Sequence, residues 1–164
     1  ELVEKFGIDG TRYLLLTALP YSKDGDLSWE KMTEKYNADL ANGLGNLVSR
    51  VVKLSGPLNN LRNLEAKNEE YPKYVAELLN EYKLADAIEW IWEKIREANK
   101  VVDENKPWEL AKTNPEQLEV VMRNLVGLVG YIGFVLEPFL PETAKKIKVA
   151  LKTGAVEPLF QRIK

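Results

Sequence analysis

The chain has 164 residues, 45% of them hydrophobic and 29% charged, with a formal net charge of −2 and a pI near 5.4. That is enough apolar material for one ordinary domain with a real core, in the balance of a globular protein. Cysteine and histidine are both absent, which removes disulfides, thiol nucleophiles, thiolate and imidazole metal sites, and the commonest general base.

What remains supports neither a metal site nor a catalytic residue: there is no calcium-loop spacing of carboxylates and no nucleophile elbow. The chain begins at Glu1 without an initiator Met or a signal segment, the expectation for a piece cut from a longer protein. The longest uncharged stretch, residues 124–136, falls short of the ~20 residues that a bilayer core requires. It reads as a buried helix, with no membrane partner. An acidic total argues against a protein that grips phosphates everywhere. The distribution is uneven, however. From Glu142 onward Lys145, Lys146, Lys148, Lys152, Arg162 and Lys164 oppose Glu142 and Glu157, which leaves the tail at +4 and the rest at −6. That tail is either a solvated helix face or a phosphate-facing patch.

In chain order, residues 9–19 read as a helix and residues 20–27 as a polar loop or tight turn. Over residues 28–55 apolar side chains at Trp29, Met32, Tyr36, Leu40, Leu44, Leu47, Val51 and Leu54 form one stripe at helical spacing. Ser28 is its N-cap, Glu30 sits in the first turn, and Gly56-Pro57 ends it. Residues 58–71 read as a surface connection. A second stripe runs through Leu84, Ile88, Ile91, Ile95, Ala98 and Val102. A third, starting at Pro115-Glu116, runs through Leu118, Met122, Leu125, Val129, Ile132 and Leu136. A shorter helix follows Pro141 and ends near Gly154, and residues 156–163 leave room for a short extended piece. Trp29, Trp90 and Trp92 fall within helical patterns and are expected to pack. Gly127, Gly130 and Gly133 lack the strand and tight turn of a dinucleotide fingerprint, so they are expected to allow close helix contact. Amphipathic helices without strands bury their stripes against one another, which predicts an all-α helical bundle.

From Asp24 the chain reads DGDLSWEKMTEKYNADLANGLGNLVSR; further on come ANKVVDENKPWELAK at 98–112, LEPFLPETAKKIKVAL at 136–151 and PLFQRI at 158–163. These blocks, in this order, resemble the methionyl-tRNA synthetases beyond their catalytic domain. The opening ELVEKFGIDGTRYLLL resembles the stretch just past the family's ATP-handling loop. Residues 58–83 carry the resemblance least. Lys31-Met32-Thr33-Glu34-Lys35 looks like the family's KMSKS loop but lies inside the first long helix, with Met32 on the apolar stripe. It is read as ordinary helix, and the loop belongs upstream of Glu1.

The resemblance implies a helical bundle of the class Ia aminoacyl-tRNA synthetase anticodon-binding type. Residues 1–27 would be the hinge region following the catalytic domain, and residues 28–164 the anticodon-binding domain. The implied partners are the CAU anticodon loop of methionine tRNA and the catalytic domain of the same protein. That domain would use ATP to attach methionine, in the cytoplasm, whereas this segment carries no cofactor. Carried over residue by residue, Asn46 and Arg50 in GNLVSR match polar anticodon readers. Trp108 in NKPWELAK matches the aromatic residue that stacks on a base, beside Pro107. Asn46 and Arg50 lie one turn apart and share a face. Asn42 and Lys53 lie on that flank as secondary candidates. Taken without the resemblance, Arg50 reads as a solvated or ion-paired helix residue and Trp108 as core. Three rival readings are the equivalent domain of a valine, isoleucine, leucine or cysteine synthetase, a helical protein-interaction module, and an autonomous enzyme, which the missing His, Cys and catalytic motifs disfavour.

Overall fold

The computed structural model describes residues 1–18, 28–56, 58, 61, 70–155 and 157–164. The loop read at 20–27 and most of the connection read at 58–71 lie outside the described residues. Among those described there are eight α-helices, one π-helical segment and no strand. The all-α reading holds.

The first helix, α1 (Leu2–Ala18), begins earlier than residue 9 because two helical pieces join across Gly7, whose φ of 71° only glycine adopts without strain. Phe6 ahead of the kink and Tyr13 and Leu14 beyond it are all buried. Ser28 caps α2 (Trp29–Lys35), accepting a hydrogen bond from the Lys31 amide at 3.3 Å. Met32 is buried within this helix, so KMTEK is ordinary helix, as expected. Trp29 departs from the packing expectation. It is 44% exposed, with one face stacked on Phe6 at 6.0 Å between ring centres.

The long stripe continues without a break through a π-helical segment (Tyr36–Gly45) into α3 (Asn46–Ser55). Its spacing explains the change. Met32, Tyr36, Leu40 and Leu44 are each four residues apart, and in a helix of 3.6 residues per turn such a row drifts off the core. Widening to i→i+5 hydrogen bonds keeps the row in line, and all four side chains are buried.

A short helix, α4 (Lys73–Asn80), has no counterpart in the sequence reading; Val75 and Leu78 anchor it in the core. Leu61 is also buried at 1% exposure, so the connection before α4 sends at least one side chain inward. The second stripe forms α5 (Leu84–Asn105), followed by α6 (Pro107–Thr113). The third forms α7 (Pro115–Leu136), all six of whose stripe residues are buried. By length and composition α7 is apolar enough to cross a membrane. Here it lies against α3, α5, α6 and α8 as the central helix of the bundle.

The last helix, α8 (Pro141–Thr153), ends at Gly154 in the left-handed conformation. It packs close on α7 because Gly133 has no side chain: a Cβ there would meet Ile147 Cγ2 at 3.0 Å. Gly130 lies at ordinary contact distance from Leu151, and Gly127 faces open space. The close-contact reading therefore holds at Gly133 and not at Gly127. Beyond α8, Asn37 straps the tail by accepting from the Ile163 amide at 2.9 Å and donating to its carbonyl at 2.7 Å.

Tyr13 is buried between α1, the π-helical segment and α5, stacked on Trp92 at 4.4 Å and donating to Asp39 Oδ2 at 2.7 Å; Asp39 also binds Lys35 at 2.9 Å. Burial, then the bond to Asp39 and its charge, push the Tyr13 phenol well above its ordinary value. In the unfolded chain that phenol ionises near pH 10, while in the folded chain it keeps its proton. Its contribution to stability is thus complete below about pH 10 and falls by about 1.4 kcal/mol per unit as pH rises further. Tyr36, Tyr71 and Tyr131 are raised by burial as well, so denaturant melts across this alkaline range should show a slope at least that steep, and Tyr13→Phe should make it shallower. An unchanged slope in that variant refutes the assignment.

Candidate nucleic-acid interface

Arg50 leaves α3 one turn after Asn46 and reaches α5. Its Nη1 donates to Asp103 Oδ1 at 2.8 Å and its Nη2 to Asn99 Oδ1 at 2.7 Å. Asn99 in turn donates to the Ile95 and Gly43 carbonyls at 3.0 and 3.3 Å. The side chain is 35% exposed, and its guanidinium is held in one orientation by two partners one helical turn apart. Its Nε is buried and has no hydrogen-bond partner. Arg50 is ion-paired, as its reading without the resemblance supposed, and the pair fixes its plane. Sequence spacing gave no sign of Asn99 or Asp103, which lie about 50 positions away and meet Arg50 only in the fold.

The contacts also show direction. Asp39 and Gly43 face the Trp92-to-Asn99 stretch of α5, and Arg50 reaches Asp103, so α3 and α5 run the same way. Between the π-helical segment and α5 lies a cleft of about 410 Å³, lined by Asp39 and Gly43 on one side and Trp92, Asn99 and Asp103 on the other. Asn46, Asn42 and Lys53 are exposed and make no side-chain hydrogen bond or ion pair among the described residues. Each amide is left with a donor and an acceptor to offer a base edge.

One turn beyond Asp103 the chain turns a corner on a single residue. Lys106 has φ 42° and ψ 61° and serves both as the last cap of α5 and the first of α6. Its amide donates to the Val102 carbonyl at 3.0 Å, and its own carbonyl accepts from Glu109 at 2.7 Å. Pro107 takes the first helical position and is buried, where its fixed φ suits the helix start. Trp108 follows, 42% exposed, with no ring or hydrogen-bond partner among the described residues. It is not core. Trp92 supplies the contrast at 4% exposure.

A family model described as the anticodon binding domain of methionyl tRNA ligase matches residues 56–159. The chain belongs to this family. A second model, described as tRNA synthetases class I (M), matches residues 1–52. The methionine–tRNA ligase of Clostridium acetobutylicum is 37% identical over 92% of this chain and 26% of its own length. That of Caldanaerobacter subterraneus is 36% identical over 90% of this chain and 25% of its own length. The chain thus spans about a quarter of these curated relatives. Among solved structures, the free-state methionyl-tRNA synthetase of Mycobacterium tuberculosis superposes with a TM-score of 0.70 at 26% identity, over 99% of this chain and 40% of that one.

Proposed function

We propose that this anticodon-binding domain reads the CAU anticodon of methionine tRNAs, with Trp108 stacking on an unstacked base and Asn46 and Arg50 bonding base edges. Asn42 and Lys53 flank that face, and Pro107 sets the attitude of Trp108. The observation that carries this reading is the exposed indole on a one-residue corner, one turn beyond the carboxylate that orients Arg50. Single-stranded loops are recognised by splaying bases onto such platforms and bonding their edges. An acidic chain suits that mode, because the specificity is local. In the whole protein, residues 1–27 act as the hinge to a catalytic domain that attaches methionine to tRNA using ATP, in the cytoplasm.

Binding of anticodon stem-loops, at stated salt, tests this. The CAU loop is expected to outcompete loops carrying valine, isoleucine, leucine or cysteine anticodons. Asn46→Ala and Arg50→Ala should each lower CAU affinity by roughly 1–3 kcal/mol, the range of a specific base contact. The Asn46→Ala melting temperature should move little, since surface changes stay within about 0.5 kcal/mol; Arg50→Ala also breaks the bonds to Asp103 and Asn99 and should cost about 1–2 kcal/mol of stability, so its affinity is read on the folded fraction. Equal affinity for all loops would return the domain to a protein-interaction role. Undiminished CAU binding in both variants would remove Asn46 and Arg50 from the site.

A further inference from the structure

Charge pairing is uneven along the chain. Lys35, Lys73, Lys83, Lys94, Lys100 and Lys106 each lie within 4.0 Å of a carboxylate. Lys145, Lys146, Lys148 and Lys152 on α8 are all exposed, and none closes an ion pair among the described residues. The fold places them together. Ala144, Ile147 and Ala150 point into the core, and at 100° per residue Lys145, Lys148 and Lys152 form a line up the opposite side. Lys146 stands about 100° or more round the helix from that line, on the other exposed flank, and Glu142 is the sole acid on the helix. Like charges at i,i+3 and i,i+4 oppose a helix by about 0.2–0.5 kcal/mol per pair. The face is thus a local cost to α8, met by the packing of its other side. It also concentrates positive charge on a chain whose first 141 residues are acidic.

Position adds to charge. α8 lies against α3, the helix of Asn46 and Arg50, and against α1. We propose that the outer face of α8 grips the phosphate backbone of the tRNA whose anticodon is read at α3 and Trp108. This rests on the anticodon-reading proposal and assigns it a second, sequence-blind contact. From Lys145 to Lys152 the helix rises roughly 10 Å, while a duplex strand presents a phosphate about every 3.4 Å of its axis. The face therefore spans more than one phosphate. Ammonium groups act there as mobile point charges and read no base.

The test uses this chain, an intact methionine tRNA transcript, and the same transcript with its anticodon exchanged. The comparison is with a variant in which Lys145, Lys146, Lys148 and Lys152 are all glutamine, which keeps helix propensity; a thermal melt confirms the fold. Each lost phosphate contact should flatten the plot of log affinity against log salt by about 0.9, so the variant's slope is expected to fall by two or more. Its affinity at moderate salt should drop at least about tenfold for both transcripts, with their ratio unchanged. An unaltered slope and affinity, with the anticodon preference intact, overturns the α8 contact alone. No preference between transcripts in the unsubstituted chain overturns the anticodon reading, and the α8 inference with it.

Discussion

Trp108→Ala is expected to lower affinity for a CAU stem-loop by roughly 1–3 kcal/mol, about one to two decades, the worth of one base–aromatic stack. The indole is 42% exposed and touches no other ring among the described residues, so stability should change by no more than about 1 kcal/mol. Trp108→Phe keeps a flat π-face and should retain much of the binding. A packing role predicts the opposite order, because truncating a buried Trp costs about 3–5 kcal/mol of stability. Denaturant melts and stem-loop titrations on both variants separate the cases. A large stability loss in Trp108→Ala, with normal affinity in the folded fraction, would return Trp108 to the core.

The second large effect lies where α1 meets the start of α8. The residue preceding α8, Leu140, offers no side-chain cap. Asp9 of α1 supplies one instead, accepting from the Thr143 amide at 2.6 Å in a buried setting. Beside it Arg12 donates to the Phe139 and Pro138 carbonyls at 2.7 and 3.0 Å, so α1 holds the α7–α8 corner from both polarities. Asp9→Ala would leave the Thr143 amide buried and unpaired and remove a negative charge from a helix start. A loss of about 2–3 kcal/mol of stability is expected, a fall in melting temperature of roughly 5–10 °C. Asp9→Asn keeps an acceptor and should recover part of it. Stem-loop affinity of the folded protein should not move. A melting temperature unchanged in Asp9→Ala would show that the corner is held by packing alone.

These two sites mark what could be read from sequence. The stripes on α5 and α7, the Ser28 cap and the Gly154 stop are local patterns, and local patterns survive into the fold. The run of four-residue steps from Met32 to Leu44 also contained its answer, since an α-helix cannot keep that row facing one way. Trp29 departs from that reading because it stands at the first position of its helix, at the end of the stripe, where among the described residues Phe6 and Lys5 meet its ring and leave it 44% exposed. α4 offers only Val75, Leu78 and Leu79, too brief a pattern beside a weakly matching segment. The Asp9–Thr143 cap and the Asn99 and Asp103 hold on Arg50 join residues 134, 49 and 53 positions apart, and no periodicity encodes such a meeting. Asn46, Arg50 and Trp108 were identified by resemblance; what the fold adds is the fixed guanidinium and the uncovered indole.

The one-residue corner at Lys106 has a thermodynamic consequence. A left-handed non-glycine residue costs of order 1–3 kcal/mol, and here it leaves no slack between a 22-residue helix and the ring. The freedom of that segment is surrendered when the chain folds, before any RNA arrives. Binding should then resemble the docking of rigid surfaces, with the modest negative heat-capacity change of covering one ring and none of the large one that accompanies coupled folding. On the anticodon reading proposed above, the flexible partner would be the RNA loop, and the entropy of ordering would fall on its side of the complex.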